Sequence, residues 1–232
     1  MTRRAGVRER QKADRRERIL RAALALIAER GFQATTYQLI AERAGLSRGT
    51  VFNYFPYKES ILLDHARSEL AALAARVARR RAEDPRFDAT SELRFLFEEL
   101  AAFVEARREL VLPLSYELLN PDPARSRAAY LALPLAELLR DALGHGRAEG
   151  VVRGDYSVDR LARTLANAFF ITALQWAAYR PERSLAAELR AALDLALRGV
   201  LAPAPVRSVV PWRESAPSSA FWNARNWRAL PA

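Results

Sequence analysis

The sequence contains no cysteine among its 232 residues, which excludes disulfide bonds and thiolate metal sites. Only two histidines are present, His65 and His145, and no glycine-rich phosphate loop occurs. The longest uncharged stretch of the interior, residues 164–179, includes an asparagine and a glutamine. It is shorter than the roughly 20 apolar residues that a membrane-spanning helix needs. We therefore expect a cytoplasmic bacterial protein without a membrane span, metal or cofactor, and not an enzyme.

Acidic residues are also scarce relative to basic ones, and the imbalance is uneven. The chain carries 37 lysines and arginines against 27 acidic residues, a net charge of +10. Residues 1–60 hold 13 of the basic and 6 of the acidic residues, so that +7 of the total lies there. Such an excess favours binding to nucleic-acid phosphates through release of counterions. A merely solvated basic surface is the alternative interpretation.

A short helix with a sharp end is predicted within residues 35–45. Thr35 or Thr36 can cap its first turn, because a hydroxyl accepts a hydrogen bond from an otherwise unpaired amide. Small apolar side chains follow at Ile40, Ala41 and Ala44. Gly45 can adopt the left-handed conformation that closes a helix. This helix would allow another to approach it closely.

A second short helix is predicted between Ser47, its cap, and Pro56, which ends it. Val51 and Phe55 lie four residues apart on the inner side. The outward side chains are Arg48, Gly49, Thr50, Phe52, Asn53 and Tyr54. Such a polar face suits the major groove of DNA, which admits an α-helix. The two helices therefore predict a helix-turn-helix.

Typed residues at fixed spacing over residues 16–62 support this prediction. They are Glu29-Arg30-Gly31-Phe32, Thr36, Ile40-Ala41, Ala44-Gly45-Leu46-Ser47, Gly49-Thr50, Tyr54-Phe55 and Lys58. This pattern resembles the tetracycline-repressor-like (TetR) family of bacterial regulators. The resemblance implies an all-α fold, with a three-helix DNA-binding domain followed by a larger helical domain for ligand binding and dimerisation.

Residue roles follow from the outward face and from the resemblance. The residues predicted to contact bases are Arg48, Gly49, Phe52 and Asn53. The positions that resemble the family's phosphate contacts are Thr36, Thr50, Tyr54 and Lys58.

Four segments are predicted along the chain. They are a disordered basic arm over residues 1–13, a helix-turn-helix domain over 14–57, an effector-binding and dimerisation domain over 58–202, and a tail over 203–232. The arm could enter a minor groove or serve only as a solubilising tail. The proline-rich tail contains Trp212, Phe221, Trp222 and Trp227. These aromatic residues are costly to leave in water.

Helical periodicity continues through the larger domain. Helices are predicted over residues 58–81, 90–108, 110–120, 123–149, 158–179 and 182–201, with Pro113 and Pro134 kinking or starting helices. The last two helices are strongly amphipathic, and the family forms its dimer from such a pair in each subunit. Packing within one subunit is the alternative.

An effector pocket is expected between the helices of residues 90–180. Its candidate residues are Phe97, Phe103, Tyr116, Glu117, Tyr130, Asn167, Phe170, Thr172, Gln175 and Trp176. Abundant apolar residues and little internal charge favour a small hydrophobic or weakly polar ligand. We therefore predict a dimeric repressor that such a ligand releases from a palindromic operator. The alternatives are a ligand-independent regulator and an interaction protein whose tryptophan-rich tail binds a partner.

Overall fold

Ten helices account for most of the chain in the computed structural model, which describes residues 2–200 and the side chains of residues 7–198. They are α1 (Thr2–Ala34), α2 (Tyr37–Ala44), α3 (Arg48–Tyr54), α4 (Glu59–Glu83), α5 (Ala89–Ala106), α6 (Arg108–Leu118), α7 (Pro123–Ala132), α8 (Leu135–Ala148), α9 (Val158–Tyr179) and α10 (Leu185–Val200). The prediction of an all-α fold is confirmed. The tryptophan-rich tail lies outside the described residues.

Helix α1 begins at Thr2 and includes the basic N-terminal segment. Residues 2–13, the predicted arm, continue α1 in the structure, and the predicted segment bounds remain a prediction. These residues contain no proline and are mostly good helix formers, so extending an existing helix backwards costs little. Side chains 7–15 are exposed. The extension is therefore helical without contributing to a core.

Gly31 interrupts α1. Its φ of 81° and ψ of 164° are non-helical, and the Thr35 hydroxyl donates to its carbonyl at 2.9 Å. The chain turns here, which places Phe32 in the interior with 6% of its surface exposed.

Helices α1, α2 and α3 form the predicted helix-turn-helix domain around one core. Thr36, not the buried Thr35, caps α2, because its hydroxyl accepts from the Leu39 amide at 3.3 Å. Gly45 ends α2 with a φ of 61°. The core consists mainly of Ile19, Ala23, Leu26, Ile40, Val51, Phe55 and Ile61.

Helix α4 connects this domain to the larger one. Ile61 belongs to the core of the first three helices, and Leu73 and Val77 belong to the main core of the larger domain. Between them, Leu62 belongs to a third, smaller core, whose other buried members are Ile27, Phe32 and Leu110. This small core packs α1, α4 and α6 together at the junction between the two domains.

The middle of the larger domain is more divided than the sequence suggests. The segment predicted over residues 123–149 forms two helices, α7 and α8, because Pro134 interrupts it. Pro113 lies inside α6 instead of starting a helix.

The last two helices follow the sequence closely. Ser157 caps α9 by accepting from the Arg160 amide at 3.3 Å, and α9 has its predicted bounds. Helix α10 begins at Leu185, because the Ser184 hydroxyl caps it by accepting from the Ala187 amide. Within the described part of the chain, no helix combines the length and apolar character that crossing a membrane requires.

Candidate DNA-binding surface and ligand cavity

The recognition surface consists of the outward face of α3. Val51 and Phe55 fix the helix from the inside, with at most 1% of either residue exposed. The four predicted base-contacting residues, Arg48, Gly49, Phe52 and Asn53, are all exposed on this one helix. Contact with bases requires that these residues be exposed on one face, and they are. The contacts themselves remain a prediction.

Tyr37 holds the end of the recognition helix, a role that sequence reasoning missed. Its hydroxyl donates to the Phe55 carbonyl at 2.8 Å, and its ring lies 6.0 Å from that of Phe52. Burial, together with the charge of Glu59, raises the pKa of Tyr37 to about 12. The hydroxyl therefore keeps its proton and remains a donor.

The predicted phosphate contacts Thr36 and Thr50 lie at helix starts. Thr36 caps α2, and the Thr50 amide donates to the Ser47 hydroxyl at 3.1 Å. Tyr54, at the end of α3, is partly buried. These positions frame the recognition surface, and their phosphate contacts remain predictions.

Lys58, the fourth predicted phosphate contact, has partners within the protein. Its ammonium donates to the carbonyls of Phe32 at 2.6 Å and Thr35 at 3.0 Å, and lies 4.1 Å from the centre of the Phe32 ring. Burial lowers its pKa, against an opposing effect of Glu59. Carbonyls near a helix end lack intrahelical donors, which makes them suitable acceptors. Lys58 thus joins the end of α1 to the start of α4.

A second link between the DNA-binding domain and α4 involves Asp64, which is 7% exposed. Its carboxylate accepts from Arg16 at 2.8 Å and from Arg67 at 2.5 Å. Burial acts to raise the pKa of Asp64, but the hydrogen bonds and charges of the two arginines outweigh it and lower the pKa. The Arg16 guanidinium also lies 4.7 Å from the centre of the Phe55 ring. As an ionised carboxylate, Asp64 therefore stabilises the packing of α4 against α1.

The larger domain contains a cavity of about 580 Å³, within the range typical of small-molecule sites. Helices α4 to α9 all contribute to its wall, together with the segment between α7 and α8. Its apolar lining includes Leu70, Leu73, Leu100, Phe103, Leu110, Leu114, Leu135 and Phe170. Its volume and its largely apolar lining suit a small apolar ligand.

The cavity wall also carries more charge than the sequence led us to expect. Four arginines and three glutamates border it: Arg76, Arg107, Arg140, Arg163, Glu69, Glu99 and Glu137. Arg76 pairs with Glu99 at 2.8 Å, and Arg140 pairs with Asp159, outside the wall, at 2.5 Å. No ion pair engages Arg107 or Arg163 among the described residues. The wall can therefore accommodate a ligand with an anionic group.

Four of the ten predicted pocket residues border the cavity: Phe103, Tyr130, Asn167 and Phe170. Phe97 instead packs in the core against Phe169, with ring centres 6.0 Å apart. Trp176 is also a core residue, and its indole donates to the Arg183 carbonyl at 2.7 Å.

The remaining four candidates also lie away from the wall. Tyr116 is 74% exposed, Gln175 is exposed, and Thr172 is partly buried. Glu117 is buried in an ion pair with Arg125. Periodicity identifies a buried helix face, but it does not indicate whether that face meets a neighbour or a void.

Comparison with known proteins identifies the family. Residues 19–64 match bacterial regulatory proteins of the tetR family, and residues 68–199 match the C-terminal domain of TetR/AcrR family transcriptional repressors. The chain belongs to the TetR family. It is therefore a DNA-binding transcriptional repressor of the ligand-responsive kind, and the helix-turn-helix interpretation is confirmed. The reading as an interaction protein is not favoured.

Two full-length relatives are informative. The repressor KstR2 of Rhodococcus jostii is 29% identical over 197 residues, covering 83% of this chain and 94% of the relative. The crystal structure of Thermus thermophilus FadR in complex with lauroyl-CoA is 50% identical, with a TM-score of 0.75, and the match covers 82% of this chain and 99% of FadR. Bacillus subtilis FadR, in complex with stearoyl-CoA, is 21% identical with a TM-score of 0.65 and supports only the fold.

Proposed function

We propose that this TetR-family repressor leaves its operator when a long-chain acyl-CoA thioester occupies the cavity. The observation that carries the proposal is a large apolar cavity with arginines on its wall, in a chain 50% identical to a FadR bound to lauroyl-CoA. The protein would act by binding alone, without catalysis. The target genes are those whose operator the recognition helices bind.

The chemistry of the cavity suits both ends of such a ligand. The apolar wall would receive the acyl chain, and about ten buried methylenes would contribute roughly 8 kcal/mol before the costs of ordering the chain. Arg107 and Arg163 could balance phosphate charge, because neither is committed to an ion pair among the described residues. Free fatty acids, which lack the phosphates, would then bind more weakly.

Helix α4 offers a route from the cavity to the DNA. Leu70 and Leu73 border the cavity, whereas Ile61 lies in the core of the DNA-binding domain. At the far end, Arg81 binds the fully buried Glu92 through two hydrogen bonds. This pairing would hold the far end, so that a displaced helix moves mainly at the end next to the recognition helix.

The protein would bind an inverted-repeat operator as a homodimer. Ile171 of α9 and Leu195 of α10 are 47% and 72% exposed. Both are apolar residues that a second copy could cover. Half-sites lie about 34–36 Å apart per DNA turn, so a shift of a few ångströms between the recognition helices loses register. A ligand that prefers the displaced state about 10²-fold would supply about 2.7 kcal/mol of coupling.

Titration of the purified protein with lauroyl-CoA, laurate and free CoA tests the effector. The operator would first be selected from random duplexes, and its release would be followed by fluorescence anisotropy. We expect lauroyl-CoA to release the operator at concentrations at least about tenfold below those of laurate or CoA. A ketosteroid serves as the competing ligand class, since KstR2 of Mycobacterium tuberculosis is described as a ketosteroid transcriptional regulator. Release by the steroid but not by lauroyl-CoA would refute the proposal.

A further inference from the structure

Arg125 of α7 contacts three residues in two other parts of the chain. Its guanidinium donates to the two carboxylate oxygens of Glu117, on α6, at 2.9 and 2.6 Å. The same group lies 4.4 Å from the centre of the Tyr57 ring and 3.9 Å from the Glu59 carboxylate. One side chain thus connects the α6–α7 pair to the junction between the DNA-binding domain and α4.

Glu117 determines where the guanidinium lies. Only 2% of Glu117 is exposed, and a buried carboxylate without a partner costs several kcal/mol. Arg125 is its ion-pair partner among the described residues, and the only other hydrogen bond to its carboxylate there comes from the side-chain amide of Asn120 at 3.4 Å. Arg125 must therefore follow α6 when that helix moves.

The α6–α7 pair is also a wall of the ligand cavity. Leu118, directly after Glu117 in sequence, borders the cavity, as do Leu119, Tyr130 and Leu131. The last three are more than half exposed, so they form an outer part of the wall. A ligand that displaces this part would carry Glu117 and Arg125 with it.

Opposite Glu117, Arg125 contacts residues 57–59, which follow the recognition helix and are fixed by hydrogen bonds. The Tyr57 carbonyl accepts from the amide and the hydroxyl of Ser60, which fixes the first turn of α4. Phe55, two residues before Tyr57, is held by Tyr37. A displacement of residues 57–59 would therefore be transmitted to the end of α3, which lies three residues before Tyr57.

We propose that Arg125 is a positioning residue that transmits movement of the α6–α7 wall directly to residues 57–59. This inference rests on the proposed function, because it concerns how the same cavity controls DNA binding. It adds a connection that bypasses the length of α4. Without Arg125, ligand and operator would still bind, but each would affect the other less.

The test compares Arg125→Gln with Arg127→Gln, an exposed arginine on the same helix that has no ion pair among the described residues. Lauroyl-CoA affinity is measured with and without saturating operator, and the ratio is the coupling factor. We expect Arg125→Gln to lower this factor at least about fivefold, with operator-free affinity within about threefold of the wild type. Arg127→Gln should match the wild type. A smaller reduction in Arg125→Gln would overturn the assignment.

A further variant, Arg125→Lys, keeps the test decisive if Arg125→Gln folds poorly. Arg125→Lys preserves the charge opposite Glu117 but lacks the planar fork, so its coupling factor should also fall. A ligand-free cycle of Arg125→Gln and Glu59→Gln measures operator affinity. We expect the double variant to depart from additivity by at least about threefold in Kd, and additive effects would overturn the inference. If the wild type ignores lauroyl-CoA, the proposed effector is wrong, and this cycle alone decides the role of Arg125.

Discussion

Replacing Lys58 with methionine separates two roles that one ammonium group could have. Methionine keeps much of the side-chain length but removes the donors that reach Phe32 and Thr35. A hydrogen bond with a charged partner contributes about 1.5–3 kcal/mol, and partial exposure reduces this. We therefore expect Lys58→Met to lower the free energy of unfolding by about 1–3 kcal/mol, measured by urea denaturation. Arg48→Met, on the exposed face of α3, should leave stability within about 0.5 kcal/mol of the wild type.

The salt dependence of operator binding tests the second role. If Lys58 also contacts a phosphate, its loss should reduce the slope of log K against log salt by about 0.9 per subunit. Stability would fall in either case, because the carbonyl contacts are present without DNA. An unchanged free energy of unfolding would refute the argument that Lys58 locks α1 to α4. An unchanged slope would remove only its predicted phosphate role.

Three more predictions concern the junction between the two domains and the cavity. Leu62→Ala, at a residue 1% exposed, should cost about 2–5 kcal/mol in urea denaturation. The ionised Asp64 has a pKa below its ordinary value of 3.8. Its stabilisation is therefore full well above that value and is lost as pH falls through the lower folded pKa. Asp64→Asn should flatten this acid-side loss in a pH series of denaturation curves, and an unchanged pH dependence would contradict it. Ala166→Phe, on the cavity wall, should weaken lauroyl-CoA binding at least about tenfold by calorimetry, whereas the exposed Ala102→Phe should not.

Features with local causes were predictable from the sequence. Gly45 ends α2 by adopting the left-handed conformation, and Ser47 caps α3 by accepting a hydrogen bond from the amide of Thr50, three residues away. The N-terminal extension of α1 was not predicted, because residues 1–13 show no apolar periodicity in the sequence. Its helix-forming residues and the adjoining stable helix were the signals that could have indicated otherwise.

The candidate site was less predictable than the fold. Of the aromatic candidates, Phe103, Tyr130 and Phe170 reach the cavity, whereas Phe97 and Trp176 are core residues. Phe97 and Phe103 belong to the same helical apolar pattern, because such a pattern reports burial and not the shape of the space beyond the side chain. The arginines of the wall were not foreseen, because an arginine that faces a cavity and one that faces solvent occupy similar positions in sequence.

The sequence by itself determined the ends of the short helices, the exposed face of α3 and the all-α character of the chain. Each of these depends on hydrogen bonds and periodicities that span three or four residues. Only the tertiary structure decided that Lys58 binds carbonyls 23 and 26 residues away and that Arg125 reaches Tyr57 as well as Glu117. Such contacts form when distant segments pack together, and the free energy of burying Glu117 or enclosing the cavity belongs to the packed helices jointly.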